Sequence, residues 1–460
     1  MLFSSIFFLY YFLPIFFAIY FIAPGKWKNS VIFGGSLFFY GCGGAKYLLL
    51  MIVSILTGYV GGILIGTKRH RKVWLTVSVA ILLSFLGYFK YADFFLENFK
   101  AMTGIEIPML KVALPIGISF YTFQIISYLV DIYRGEVDYQ SNIIDFGTYV
   151  VLFPQLIAGP IVRYKGIAGT LKERVHTITD IYDGITRFLT GLGKKVLIAN
   201  SMAQLCDIFR ASGEKSVLFY WIYGAAFTLF IYFDFSGYSD MAIGLGKMMH
   251  FHFPENFDYP YMSGSITEFW RRWHMTLGRW FRDYVYIPLG GNRVKKFRWF
   301  SHIVLIWIMT GLWHGASWNF VIWGLLFGVL LVIEKMTEFT KKVPKWVSHV
   351  YVLFVIIIGF VVFNAEDMTQ AWSDIQGLLG LSNLPFITNE TRYYLGSYAP
   401  ILLMAILGCT PFPRKLFIRI QRRETGIMSM VKPAGLIALL LLSTAYLVDG
   451  SFNPFLYFRF

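Results

Sequence analysis

The chain has 460 residues, 57% of them hydrophobic and only 15% charged, and its mean hydropathy of +0.58 excludes a string of soluble domains: the bilayer is its solvent. A formal charge of +15, from 41 basic against 26 acidic residues, belongs in such a chain to cytoplasmic loops and lipid headgroups and implies no nucleic-acid partner. Cys42, Cys206 and Cys409 stand too far apart to argue a disulfide framework or a CxxC metal site.

The apolar runs predict an all-α polytopic membrane protein, with room for about 10–12 transmembrane helices of about 20 residues each. In chain order the runs are 1–23, 31–65, 73–89, 112–130, 146–162, 217–245, 303–333, 346–363, 394–409 and 434–448. The first has no charge before Lys26, unlike a cleaved signal peptide, and is read as a retained span. Gly41-Cys42-Gly43-Gly44 weakly interrupts the second, and several runs are long enough to hold two shorter elements. No linker, low-complexity tract or repeat divides the chain, which predicts a single domain over 1–460.

Loop charges predict orientation. Residues 67–72 carry Lys68, Arg69, Arg71 and Lys72 without an acid, and 411–433 carry six basic residues against Glu424 alone, which places both in the cytoplasm. Residues 364–393 hold Glu366, Asp367, Asp374 and Glu390 against Arg392 and are expected outside, as is the C-terminal stretch 449–460, one span beyond a cytoplasmic loop.

Two stretches, 159–200 and 250–298, depart from plain apolar spans. Over 267–284, Trp270, Trp273, His274, Leu277, Phe281 and Tyr284 recur at spacings of three and four while Arg272, Arg279 and Arg282 fall elsewhere, which predicts one amphipathic, arginine-rich helix. Two readings stand: an interfacial helix at the headgroups, or a wall that presents His274 to a chamber.

Within 303–333 lies Thr310-Gly311-Leu312-Trp313-His314-Gly315. A histidine inside a span is costly unless it faces protein or a water-filled cavity, which marks His314 as a candidate functional residue. Trp307, Gly311, His314 and Trp318 share one face of a helix, an aromatic slot around the imidazole, and the glycines admit a close backbone or a substrate. The alternative is a packed glycine interface with a structural histidine. His70, His176, His250, His252, His302 and His349 lie in or near loops and span ends and are read as structural. There is no HExxH, GxSxG or P-loop, so zinc hydrolase, serine hydrolase and NTPase readings fall away, and no metal is expected. Asp234, Tyr238 and Asp240, in the apolar run 217–245, fit a polar structural core better than direct catalysis, because buried carboxylates need donors.

Taken together, the segments resemble the membrane-bound O-acyltransferase family, and within it the bacterial branch typified by the membrane subunit of alginate O-acetylation. The matching stretches are Leu114-Pro115-Ile116-Gly117-Ile118-Ser119-Phe120-Tyr121, Phe153-Pro154-Gln155-Leu156-Ile157-Ala158-Gly159-Pro160 and 232–246. They continue with Ser265-Ile266-Thr267-Glu268-Phe269-Trp270-Arg271-Arg272-Trp273-His274, Leu289-Gly290-Gly291-Asn292-Arg293 and 311–316. The likeness is densest over 1–330, and the ending Asn453-Pro454-Phe455-Leu456-Tyr457-Phe458 also resembles the branch. Gln155 departs from it, standing where some alginate members carry His, so alginate follows less directly than the family does.

The resemblance implies a funnel-like central chamber with interfacial and re-entrant helices. His314 corresponds to the catalytic histidine, as general base or transient acyl acceptor, and His274 to the second family histidine. Arg271, Arg272, Trp313, Trp318, Asp234 and Tyr238 are candidates for donor or substrate contacts. It further implies a bacterial cytoplasmic (inner) membrane location, no bound cofactor, and acetyl-CoA as co-substrate. The expected partners are an extracytoplasmic acetyl-handling protein and a cell-surface polysaccharide acceptor such as alginate. The rival readings are a D-alanyl transferase for teichoic acids with a carrier-protein donor, a transporter with His314 as proton relay, and a non-catalytic scaffold.

Overall fold

The computed structural model describes residues 1–67, 69–421 and 426–450, which are helical or irregular with no strand among them. Lys68, Arg422, Arg423 and Glu424, and the closing motif from Asn453 to Phe458, lie outside the described residues, and with them much of the expected orientation of those loops and of the C-terminal stretch.

Among the described residues, six helices are long and apolar enough to cross a membrane: Lys46–Gly66, Arg71–Thr103, Val217–Met248, Trp318–Thr337, Lys345–Asn364 and Val431–Asp449. Asn389–Gly408 and Phe412–Arg419, bent by 74°, make a seventh if the pair is one span. The expected all-α polytopic class therefore forms, with fewer full-length apolar helices among the described residues than the ten to a dozen spans read from apolar runs. The reason is local. The run 31–65 breaks where Gly44 takes φ +140°, leaving a 14-residue helix, Lys28–Gly41, before Ala45–Gly66. The run 112–130 becomes helical only at Ile118, after Gly117 at φ +77°. A Cβ on Gly117 would stand 2.7 Å from the carbonyl oxygen of Leu156, so only glycine allows that approach. The run 146–162 stops being regular after Val151. The piece Ile118–Arg134 is packed within protein, with 14 of its residues buried, which is where interruption of a helix at membrane depth is tolerated.

By contact the chain falls into two compact units, Met1–Phe188 with Ser239–Pro254, and Leu189–Tyr238 with Glu255–Phe460. The first is cored by aromatic rings. Phe153 meets Phe16, Phe12 and Phe39 at centroid distances of 5.0, 5.4 and 5.5 Å, geometries that add to the burial of large apolar area. At one end of that unit Tyr20 Oη lies 2.8 Å from His176 Nε2, and Lys28 stands over the Tyr20 ring.

The second unit is built on an apolar core that includes Phe227, Phe230, Phe269, Trp273, Trp323, Phe327, Ile356 and Phe360. Two ion pairs belong to this unit, one fully buried and one with its arginine half-buried. Lys195 Nζ lies 2.7 Å from Asp234 Oδ1, with both side chains at most 2% exposed, and Arg210 grips Asp374 through both guanidinium nitrogens at 2.9 and 2.6 Å. Charges taken as far from water as Lys195 and Asp234 persist because each has its partner.

Candidate active site

The site is assembled from several stretches of the second unit. The helix Ile266–Arg272 begins where Ser265 Oγ accepts the Glu268 N–H at 3.0 Å. Its first turn is also held from outside. The buried carboxylate of Glu334 accepts Ile266 N–H at 2.7 Å, Thr267 N–H at 2.9 Å and the Thr267 hydroxyl at 2.8 Å, filling the donors every helix start leaves open and complementing its dipole.

The single amphipathic helix expected over 267–284 does not form. The chain leaves helix at Trp273, His274 adopts φ 43°, ψ 51°, and a second short helix runs Met275–Phe281 before a π turn, Arg282–Tyr286. Hydrogen bonding outweighs periodicity here, because the irregular segment 256–258 lies along the break. Asp258 N–H donates to Arg272 O at 2.9 Å and Met275 N–H to Asn256 O at 3.0 Å. The Asn256 side-chain oxygen accepts Thr276 N–H at 3.2 Å and the Thr276 hydroxyl at 2.9 Å, and faces His274 Nδ1 at 3.1 Å. A left-handed non-glycine residue of this kind costs about 1–3 kcal/mol and persists only when its surroundings fix it.

His314 is the last residue of the helix Lys296–His314, not the middle of a span. Gly315 is extended, and the chain returns as Trp318–Thr337. A Cβ on Gly311 would meet the carbonyl oxygen of Phe320 at 2.2 Å, and one on Gly324 that of Trp307 at 2.2 Å. The expected close glycine packing is therefore real, but it forms the crossing of a helical hairpin. As a consequence Trp318 does not share a helix face with His314; it opens the next helix and is 53% exposed.

His274 and His314 both line a cavity of about 170 Å³, walled by Trp270, Trp307 and Thr310 among others, with Arg282 and Tyr286 also on its lining. The imidazoles are 3% and 8% exposed and held by aromatic edges. His314 meets Trp323 and Phe363 at 5.3 and 5.2 Å, and His274 meets Phe235 edge-on at 4.7 Å. Trp313 lies between them, 4.9 Å from His314 and 5.7 Å from His274. Burial in this apolar setting pushes the His274 imidazole down to about 3, so it is neutral at ordinary pH. Two buried imidazoles on one small, mostly apolar chamber are equipped to accept and return protons on a substrate that enters it.

The other sequence-derived candidates separate. Trp313 joins the two histidines. Arg271 is exposed, and Arg272 is taken up by Glu268 at 2.8 Å; neither lines the cavity, whereas Arg282, brought round by the π turn, does. Asp234 is paired with Lys195, and Tyr238, one helical turn further on, is buried away from the cavity lining. Phe235 is the residue of that segment that reaches a histidine. Asn256 carries no sequence signal, being a lone amide after an irregular turn, and only its contacts reveal it.

Residues 133–366 match the MBOAT, membrane-bound O-acyltransferase family. The chain belongs to that family: it is a multi-pass membrane protein and an acyltransferase. It is similar to a probable alginate O-acetylase of Azotobacter vinelandii, with 42% identity over 81% of this chain and 77% of the relative. It is similar over the full length of both chains, at 37% identity, to a probable alginate O-acetylase of Pseudomonas putida. A peptidoglycan O-acetyltransferase of Helicobacter pylori is 32% identical over all of this chain and 98% of its own.

Proposed function

We propose that the protein transfers an acetyl group from cytoplasmic acetyl-CoA across a bacterial inner membrane, toward hydroxyls of a cell-surface polysaccharide such as alginate. The observation that carries this reading is the pair of buried imidazoles on one cavity. About 170 Å³ is well below the roughly 300–1,000 Å³ of a site that swallows a drug-sized ligand. It suits the acetyl end of a thioester, with the bulk of the donor left outside. The names of the relatives supply the acetyl group and the polysaccharide class.

In this reading His314 is the general base. It takes the proton of the acceptor hydroxyl as that oxygen attacks the thioester carbonyl carbon; the carbon–sulfur bond then breaks, and the departing thiolate receives the proton. The products are an O-acetyl ester and free coenzyme A. His274 shares the proton or orients the acceptor, and Trp313 fixes the spacing of the two rings. The acceptor oxygen belongs to the polysaccharide or to an extracytoplasmic protein that relays acetyl to it. A strain lacking this chain should lose O-acetyl from its surface polysaccharide and regain it with the wild-type chain but not with His314→Ala. Unchanged acetyl content in the deletion strain would sink the reading. A requirement for an acylated carrier protein in place of acetyl-CoA would move the donor to the D-alanyl type.

A further inference from the structure

Asn256 lies against one ring nitrogen of His274. The backbone N–H of Thr276 can only donate, and it points at Asn256 Oδ1 at 3.2 Å. That contact settles which end of the amide is oxygen, an assignment otherwise open to a flip. The same oxygen lies 3.1 Å from His274 Nδ1. An amide oxygen has no proton to give, and a bare Nδ1 there would set two lone pairs against each other, so Nδ1 carries the hydrogen and donates it. A neutral imidazole holds one such hydrogen, which leaves Nε2 with its lone pair. Nε2 is buried with no hydrogen-bond partner among the described residues, on a side chain that lines the cavity.

The geometry points to Asn256 as a positioning residue that holds His274 in the Nδ1–H tautomer, so that Nε2 serves the site as a hydrogen-bond and proton acceptor. The inference rests on the acyl-transfer reading for its role in turnover, but the tautomer itself does not. The backbone of Asn256 contributes as well: its carbonyl receives Met275 N–H, so one residue fixes both the left-handed turn and the ring within it. This is the logic by which a partner on one imidazole nitrogen sets the chemistry of the other. Replacement by Asp keeps an oxygen in place, whereas Leu, of similar shape, removes it.

The test is nitrogen NMR of the full chain in detergent, labelled with ¹⁵N-imidazole histidine, with His274 assigned by the signal lost in His274→Gln. At neutral pH the wild type and Asn256→Asp should both show an unprotonated Nε2 and a protonated Nδ1 at His274. Asn256→Leu should lose that preference and at least tenfold in kcat for coenzyme A release, with KM little changed and the thermal melt confirming a folded protein. Asn256→Asp should retain activity, with the acidic limb of its pH profile moved upward because a carboxylate favours the imidazolium. A protonated Nε2 in the wild type, or an unchanged tautomer in Asn256→Leu, would overturn the inference. Failure of the acyl-transfer reading would look different: no variant, wild type included, would release coenzyme A, while the NMR result would stand by itself.

Discussion

Gly311 and Gly324 touch across the hairpin that carries His314: a Cβ on Gly311 would lie 3.5 Å from the Gly324 Cα and 2.2 Å from the backbone oxygen of Phe320. Backbone cannot swing aside as a side chain can. Gly311→Ala or Gly324→Ala should therefore separate the helices and shift the imidazole at the end of the first. Overpacking of this kind costs about 1–3 kcal/mol or more. The melting temperature of each variant should fall, and turnover per folded molecule should fall with it. Wild-type melting and turnover in Gly311→Ala would contradict the close crossing.

The Lys195–Asp234 pair makes a separate expectation. Lys195 also donates to Asn200 Oδ1 at 3.0 Å, and removing one member of the pair takes from the other the opposite charge 2.7 Å away. Lys195→Met or Asp234→Leu alone should destabilise by about 3–5 kcal/mol, while the double replacement should recover most of that loss. Thermal unfolding of the three variants in one detergent tests it. If the double variant is as unstable as the sum of the singles, the two residues are not acting as a pair.

Acid should destabilise the fold. Burial, then the cations Lys28 and Arg174, push His176 down to about 4; it lies in the irregular segment before Ile178, outside the spanning helices. Burial pushes His274 to about 3. An ordinary histidine protonates near 6.5. Below that value the unfolded chain binds protons the folded chain refuses, so stability is full above about 6.5 and declines as pH falls toward 4 and 3. The melting temperature should drop between pH 7 and pH 5, and His176→Gln should shallow the drop. A flat profile over that interval would contradict the lowered proton affinity of the two rings.

Glu334 ties the helix Ile266–Arg272 to Trp318–Thr337. Loss of a helix N-terminal acceptor costs about 0.5–2 kcal/mol, and Glu334→Ala also orphans the Ile266 and Thr267 amides. The variant should melt lower and show a reduced kcat, because the same helix leads directly into His274. Circular dichroism melts combined with coenzyme A release measure both, and wild-type behaviour in the two would remove Glu334 from the support of the site.

What was legible in the sequence was the environment a residue must tolerate. Long apolar runs dictate helices in lipid, and a histidine among them calls for a cavity or a partner, which singled out His314 and His274. Two features escaped for physical reasons. Periodicity across 267–284 could not register the hydrogen bonds from Asn256, eighteen residues before His274, that break the helix. The shared face proposed for His314 and Trp318 assumed a continuous helix, whereas Gly315 and the Gly311–Gly324 contact turn the chain back on itself. Arg271 and Arg272 stood out as a pair in the sequence, yet it is Arg282 that the π turn carries to the cavity. The sequence around Asp234 fits structure better than catalysis, and the structure adds its partner, Lys195, from another helix segment.

The central claim is that the cavity shared by His314 and His274 performs acyl transfer from a thioester. Its most direct test is coenzyme A release from acetyl-CoA by the purified chain, with acceptor polysaccharide or its relay protein present, compared among wild type, His314→Ala and His274→Ala. The wild type should release coenzyme A, and His314→Ala should fall by about 10²–10⁴-fold, the range that loss of a general base produces, with His274→Ala also impaired and all three melts cooperative. Release by His314→Ala at the wild-type rate would contradict the account and move the chemistry to another part of the protein.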